Sequence, residues 1–163
     1  MVKIRTGTLD DIVEVVQLWQ EFMDEHDILV VKNNPALKDY VPKEENGKQL
    51  FKDYLIKLLK TGEGNLSLAD YEGKIVGYNL AQIKDEIPVL KLKKVGHVAD
   101  LYVQKDFRGQ GLSTKLQDAS ISWFKKNKIK VISITVYPDN PHAYQIYKKW
   151  GFMDYKVEMR KKI

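Results

Sequence analysis

The chain has 163 residues, 44% hydrophobic and 30% charged, with 27 basic residues against 22 acidic for a net charge of +5. That length suits one domain spanning residues 1–163 with a buried core, and no apolar run approaches the roughly 18 residues of a membrane span. The absence of cysteine excludes disulfides, thiolate metal sites and a cysteine acyl-enzyme.

Met1 to Arg5 runs straight into strand-like sequence rather than a leader, and Val2 to Thr6 reads as an edge strand. Ile12, Val15, Val16, Trp19, Phe22 and Met23 recur at helical spacing, predicting an amphipathic helix from about Leu9 to Glu25 with Thr8 and Asp11 as its capping box. Asp27 to Pro42, with prolines at 35 and 42, reads as irregular. Leu50, Phe51, Tyr54, Leu55, Leu58 and Leu59 mark a second helix ending near Gly62. Leu66 and Leu68 alternate with polar residues up to Tyr71, and Glu72-Gly73 turns the chain into a strand from Ile75 to Ile83. Asp85 to Lys94 is a loop or hairpin end before a central strand, Val95 to Val103. Leu112, Leu116, Ala119 and Trp123 stripe a third helix. Val131 to Tyr137 is a nearly continuous apolar strand, as expected when both faces are covered. Ala143, Ile146, Tyr147 and Trp150 give a short helix face, and Met153, Tyr155, Val157 and Met159 alternate in a last strand. The order β-α-α-β-β-β-α-β-α-β predicts an α/β (α+β mixed) fold, a central mixed β-sheet with helices on both faces.

The segment Val103 to Leu116 is the most specific part of the chain. It combines a strand end, a tight turn with Gly109 and Gly111, and a helix start. Such a junction aims several backbone N–H groups at one spot, where the helix dipole favours an anion such as a phosphate. Arg108 at the turn adds a full charge. A Walker loop is excluded because no G-x-x-x-x-G-K-[ST] occurs here, and a Rossmann turn lacks its third glycine.

Arg108, Gly111 and Ser113 resemble the pyrophosphate loop of the GNAT superfamily of N-acetyltransferases, [QR]-x-x-G-x-[GA], with Ser113 in place of Gly or Ala. Val98-Ala99-Asp100-Leu101-Tyr102-Val103 looks like that family's central strand. Asn140 to Phe152 resembles its N-x-x-A-x-x-x-Y-x-x-x-G-F segment, and Ile4-Arg5 with Asp10-Asp11 its first strand and helix cap. The resemblance covers essentially the whole chain. It implies direct transfer from acetyl-CoA to a primary amine in a ternary complex. It implies backbone pairing of Leu101, Tyr102 and Val103 with the pantetheine arm, and a pyrophosphate cradle formed by Arg108, Gly109, Gln110, Gly111, Leu112, Ser113 and Thr114. It further implies a gap between the central strand and the strand before Pro138, with Asn140 on the pantetheine. Asn140 is equally suited to cap the helix that Pro141 begins. The resemblance also implies that the second-helix region lies over the acceptor cleft and shapes substrate choice, with acceptor loops around Asp27 to Pro42 and Asp85 to Lys94.

Tyr147 matches the family tyrosine that meets the departing sulfur, where a phenol donates a proton or a hydrogen bond. By periodicity alone it is a core aromatic. Candidate proton acceptors on the central strand are His97 and Asp100, with Glu86 or a water chain as further options. Plain alternation puts His97, Ala99, Leu101 and Val103 on one face and Val98, Asp100 and Tyr102 on the other, unless a bulge breaks the parity. Ala99 stands where some polyamine-acetylating relatives carry Glu. His26 and His142 have no partners at metal-ligand spacing, so no metal site is expected.

Two other function classes compete: a non-catalytic acyl-CoA-binding regulatory module on the same fold, and a nucleic-acid-binding domain suggested by the net charge. The latter is disfavoured because no run of five like charges occurs. The composition fits a cytoplasmic protein with no membrane partner, and the resemblance admits a homodimer. The acceptor has no chemical signature in the sequence.

Overall fold

The computed structural model describes residues 1–163. Strand β1 is Val2–Thr6, followed by a 3-10 turn at Leu9–Asp11, helix α1 at Ile12–Asn33, a second 3-10 turn at Pro35–Asp39 and helix α2 at Gly47–Thr61. Strands β2 (Gly64–Tyr71), β3 (Lys74–Asp85) and β4 (Lys94–Val103) come next. A 3-10 turn at Lys105–Phe107, helix α3 (Leu112–Lys126), strand β5 (Ile132–Ile134) and helix α4 (Pro141–Lys149) complete the order. The sheet runs β1-β2-β3-β4-β5 in space, antiparallel through β4, with β5 parallel to β4.

Local chemistry explains the early elements. Asp11 accepts from the Thr8 backbone N–H (2.7 Å) and hydroxyl (3.0 Å). Arg5 bonds Asp11 (2.7 Å) and Asp70 of β2 (2.8 Å), so the helix start is tied to the sheet edge. The bond from Arg5 holds the Asp11 carboxyl down at about 2. Glu72 and Gly73, both with positive φ, form the two-residue β2–β3 hairpin turn.

The sheet is covered on both faces. One core joins Ile12, Val15 and Leu18 of α1 and Leu55 and Leu58 of α2 to Leu66, Leu68, Tyr78, Leu80 and Tyr102. The other face packs Ala69, Val76 and Val103 against Leu112 and Leu116 of α3, and Ala81 and Val98 against Phe124.

Three expectations are corrected. α1 does not stop near Glu25 but continues to Asn33, because Val30 reaches the core and keeps the helical period; most of Asp27 to Pro42 is therefore helical or 3-10 rather than irregular. The strand expected from Val131 to Tyr137 is ordered into the sheet only at Ile132–Ile134. The last strand is absent: Met153, Tyr155, Val157 and Met159 are 77%, 81%, 86% and 88% exposed, and residues 152–163 have no regular structure. Alternation supplies a strand's faces but not its backbone partner, and three-residue β5 offers little edge to pair with.

Candidate active site

β4 and β5 run side by side through three pairs only, Gly96 with Ile132, His97 with Ser133 and Val98 with Ile134. Immediately afterwards β4 bulges: Val98 faces Ala81 and Asp100 faces Leu80, leaving Ala99 as the extra residue. The two strands part there, and Thr135, Val136 and Tyr137 continue outside the sheet. The β4 edge from Ala99 to Val103 therefore has no strand beside it on the β5 side.

The bulge also reassigns the faces. His97 lies opposite Gln82, Asp100 lies opposite Leu80, and Gln82 and Leu80 share a face by the period of two. His97 and Asp100 therefore share a face, which plain alternation along β4 denies.

The parting opens into a cleft of about 450 Å³. Val98, Ala99, Asp100 and Leu101 form one wall and Ile134 to Tyr137 the other, with Asn140, Ala143 and Tyr147 at the α4 end. Phe22, Met23, His26 and Asp27 of α1 and the connector Tyr40 to Lys43 close over it. α1 touches both walls: Phe22 lies against Tyr102 of β4 (5.6 Å between ring centres) and His26 against Tyr137 (5.0 Å).

Beyond Val103 the chain enters the glycine turn. Gly109 and Gly111 have φ of 76° and 73°, a region where a side chain is strained. The first helical bond of α3 runs from Lys115 N–H to the Gly111 carbonyl (3.2 Å). The N–H groups of Leu112, Ser113 and Thr114 thus have no partner within the helix and lie at its positive end. An added Cβ at Gly109 or Gly111 meets nothing within 4 Å, so the turn faces open space wide enough for an anionic group.

Arg108 is placed differently from the free cation that the sequence suggests. Its Nε donates to the Val103 carbonyl (2.7 Å), its Nη2 to Glu25 of α1 (2.6 Å), and its guanidinium lies 5.4 Å from the Tyr102 ring centre. Tyr102 also donates its hydroxyl to Glu25 (2.8 Å). Burial opposes ionisation of Glu25, but these two bonds outweigh it and hold its carboxyl below the usual range. Arg108 therefore pairs with Glu25 and anchors the turn to α1, while the Val103 carbonyl is already taken.

Of the candidate proton carriers, Asp100 and Tyr147 line the cleft and His97 does not. Burial pushes the Asp100 carboxyl up to about 6, against a weak bond from the Tyr78 hydroxyl at 3.4 Å. Burial, with the Asp100 charge nearby, raises the Tyr147 phenol, so it stays protonated. His97 Nδ1 lies 2.9 Å from Ser133 Oγ. Because Ser133 donates to the Gly96 carbonyl (3.3 Å), the network assigns the proton to His97 Nδ1. Burial and the Lys84 charge lower the imidazole to about 4. Asn140 lines the cleft and also caps α4, its side chain accepting from the Ala143 N–H (3.3 Å). Both sequence-level roles for Asn140 are thus sterically compatible.

Sequence reasoning missed the α1 wall. His26, Asp27 and Lys43 form a chain in the cleft: His26 Nδ1 is 3.3 Å from Asp27 Oδ1, and Lys43 pairs with the other Asp27 oxygen. The signal available was the helical period itself, which carries residues 22, 23, 26 and 27 to one side once α1 is allowed to run past Glu25.

A parted strand pair leading to an open helix N-terminus makes a seat for an extended anionic ligand, with a carboxyl and a phenol at its inner end. A family model described as the Acetyltransferase (GNAT) family matches residues 16–152, and the chain belongs to that family. An uncharacterized N-acetyltransferase of Methanocaldococcus jannaschii is 27% identical over 154 residues, 94% of this chain and 62% of that protein. An N-alpha-acetyltransferase of Sulfurisphaera tokodaii is 31% identical over 109 residues, 64% of this chain and 65% of that protein. The chain thus matches less than two thirds of the length of either. Among solved structures, a predicted acetyltransferase of Clostridium acetobutylicum with acetyl-CoA superposes with a TM-score of 0.72 at 20% identity, covering 99% of this chain and 96% of that one.

Proposed function

We propose that the protein transfers the acetyl group of acetyl-CoA directly to a primary amine, both substrates being bound together in the cleft. The observation that carries this reading is the parting of β4 from β5 at Ala99, with Asp100 and Tyr147 lining the gap and the Gly109–Gly111 turn following the free β4 edge along the chain. The cradle fits the donor: unpartnered N–H groups of Leu112, Ser113 and Thr114 suit a pyrophosphate, and the free β4 edge at Leu101 and Tyr102 suits the amides of an extended arm. Glycine at 109 and 111 keeps the approach clear.

Asp100 takes the proton that the attacking amine loses. Tyr147 donates to the sulfur as CoA leaves. Gln104 bonded to Glu21 (3.0 Å), together with Arg108 bonded to Glu25, holds α1 over the gap and limits water entry. His97, outside the cleft and held neutral, serves to fix Ser133 in the paired part of β5.

Asp100 also bears on the acceptor. A carboxyl at about 6 lies within about two units of a peptide α-amine near 8, but about four from a lysine ε-amine near 10.4. That match favours an α-amine or another weakly basic amine, in line with the names of the Sulfurisphaera tokodaii and Sulfolobus acidocaldarius relatives, both N-alpha-acetyltransferases. The test is calorimetric titration of acetyl-CoA into the wild-type protein and the Gly111→Glu variant, then CoA-thiol release with short peptides bearing a free N-terminus. Binding lost in the variant and thiol release with peptides support the reading. Binding without turnover on any amine points to a non-catalytic acyl-CoA module.

A further inference from the structure

The acceptor wing of the cleft already contains an amine. Lys43 is the only lysine among the residues lining it, and it shares that wall with Tyr40, Val41 and Pro42, in a connector between the Pro35–Asp39 turn and α2 that has no regular structure. Its Nζ rests on Asp27, whose second oxygen meets His26. Amine, carboxylate and imidazole thus stand together in the cleft that Asp100 and Tyr147 also line. We propose that Lys43 is a self-acetylation site: with acetyl-CoA bound and no acceptor present, the protein acetylates its own Lys43 and so blocks its acceptor wing. This inference rests on the acetyltransferase reading above.

The step balances simply. The Lys43 ammonium gives up one proton through Asp27 to His26, and the freed Nζ lone pair attacks the thioester carbonyl carbon. The C–N bond forms, the C–S bond breaks, and CoA leaves as a thiol protonated by way of Tyr147. Of the two protons that the ammonium loses, one ends on the CoA sulfur and the other passes to water.

Two opposing effects set the rate. A lysine amine in water, near 10.4, is neutral in only about one molecule in a thousand at neutral pH, and the contact of Lys43 with Asp27 must be broken before Nζ can attack. Tethering works the other way, because a well-oriented intramolecular group reaches effective molarities far above those of a dissolved acceptor. The outcome is a transfer much slower than acceptor turnover, visible only when acceptor is scarce. Acetylation removes the Lys43 charge, releases Asp27 and leaves an acetamide where the acceptor enters.

The experiment is incubation of the native protein with acetyl-CoA alone, followed by intact mass and peptide mapping. The expected result is gain of one acetyl group at Lys43, absent in Lys43→Arg and in Gly111→Glu, and several-fold slower in Asp27→Asn because the path for the proton is gone. Pre-acetylated protein should then turn over peptide amines several-fold more slowly. Acetyl groups spread over surface lysines at the same rate in urea-unfolded protein would overturn the proposal. So would an unmodified Lys43 in protein that calorimetry shows to bind acetyl-CoA and that releases CoA with peptides; in that case the acetyltransferase reading stands and self-acetylation falls. If acetyl-CoA does not bind the folded protein at all, both fall.

Discussion

Arg108 and Glu25 meet at 2.6 Å, and this one contact joins the loop after β4 to the helix that roofs the cleft. It sets two demands against each other. Glu25 fixes the position of Arg108, yet it places a carboxylate beside the anion seat. Both side chains are 44% exposed, so the pair contributes little to stability. Glu25→Gln keeps a hydrogen-bond acceptor for Tyr102 and Arg108 while removing the charge. We expect two- to five-fold tighter acetyl-CoA binding, on the order of 0.5–1 kcal/mol, with a steeper loss of affinity in salt. Calorimetry at two ionic strengths checks this; weaker binding would show that positioning of Arg108 outweighs the charge.

Gly111 separates backbone strain from electrostatics. At a φ of 73°, any side chain costs about 1 kcal/mol, so Gly111→Ala and Gly111→Glu should lose similar thermal stability. Only Glu puts a carboxylate at the helix N-terminus. Gly111→Ala should bind acetyl-CoA within about ten-fold of wild type, and Gly111→Glu should not bind detectably. Equal affinity in both folded variants would remove the turn from the donor site.

Tyr147 lies against Trp150 (5.7 Å) and Phe152 (6.2 Å), so its ring packs α4 whatever its hydroxyl does. Tyr147→Phe keeps that packing and deletes the donor. Turnover should fall by about ten- to hundred-fold, while acetyl-CoA affinity changes less than about three-fold. Equal losses in kcat and affinity would mark a packing role.

Much of this arrangement was legible wherever chemistry is local. The Thr8–Asp11 cap, the Glu72–Gly73 hairpin and the Gly109–Gly111 turn each follow from a few adjacent residues, and the structure contains all three. The helix stripe before Lys126 was half legible. Leu112 and Leu116 are buried as expected, but so are Gln117, which accepts from Asn79 of β3 at 3.3 Å across the interface, and Ser120. No single-chain pattern reveals a polar partner 38 residues away. The Ala99 bulge is hidden for the same reason: it is a property of the register between β3 and β4, and it alone brings His97 and Asp100 to one face. The last strand failed in the opposite direction, since Met153 to Met159 carry the alternation without an edge to join.

Asp100 ties stability and function to pH with opposite signs. Its carboxyl titrates near 6 in the fold and near 3.8 in the unfolded chain, because burial disfavours the charge. The stability associated with the neutral acid is fully present below about 3.8 and is lost as pH rises through 6. At neutral pH the protein therefore carries an ionised group that the fold disfavours. Proton transfer has the reverse dependence: below about 6 the protonated acid cannot accept from the amine, so kcat/KM should rise through that value. Asp100→Asn removes both effects. It should melt higher than wild type at pH 8, by on the order of 1–3 kcal/mol in stability, and match it more closely at pH 4. Its kcat/KM should fall by about 100-fold or more and lose the limb near pH 6. A variant less stable than wild type at pH 8 would show that the Tyr78 bond, not burial, governs Asp100. Retention of the acid limb would show that a group other than Asp100 accepts the proton.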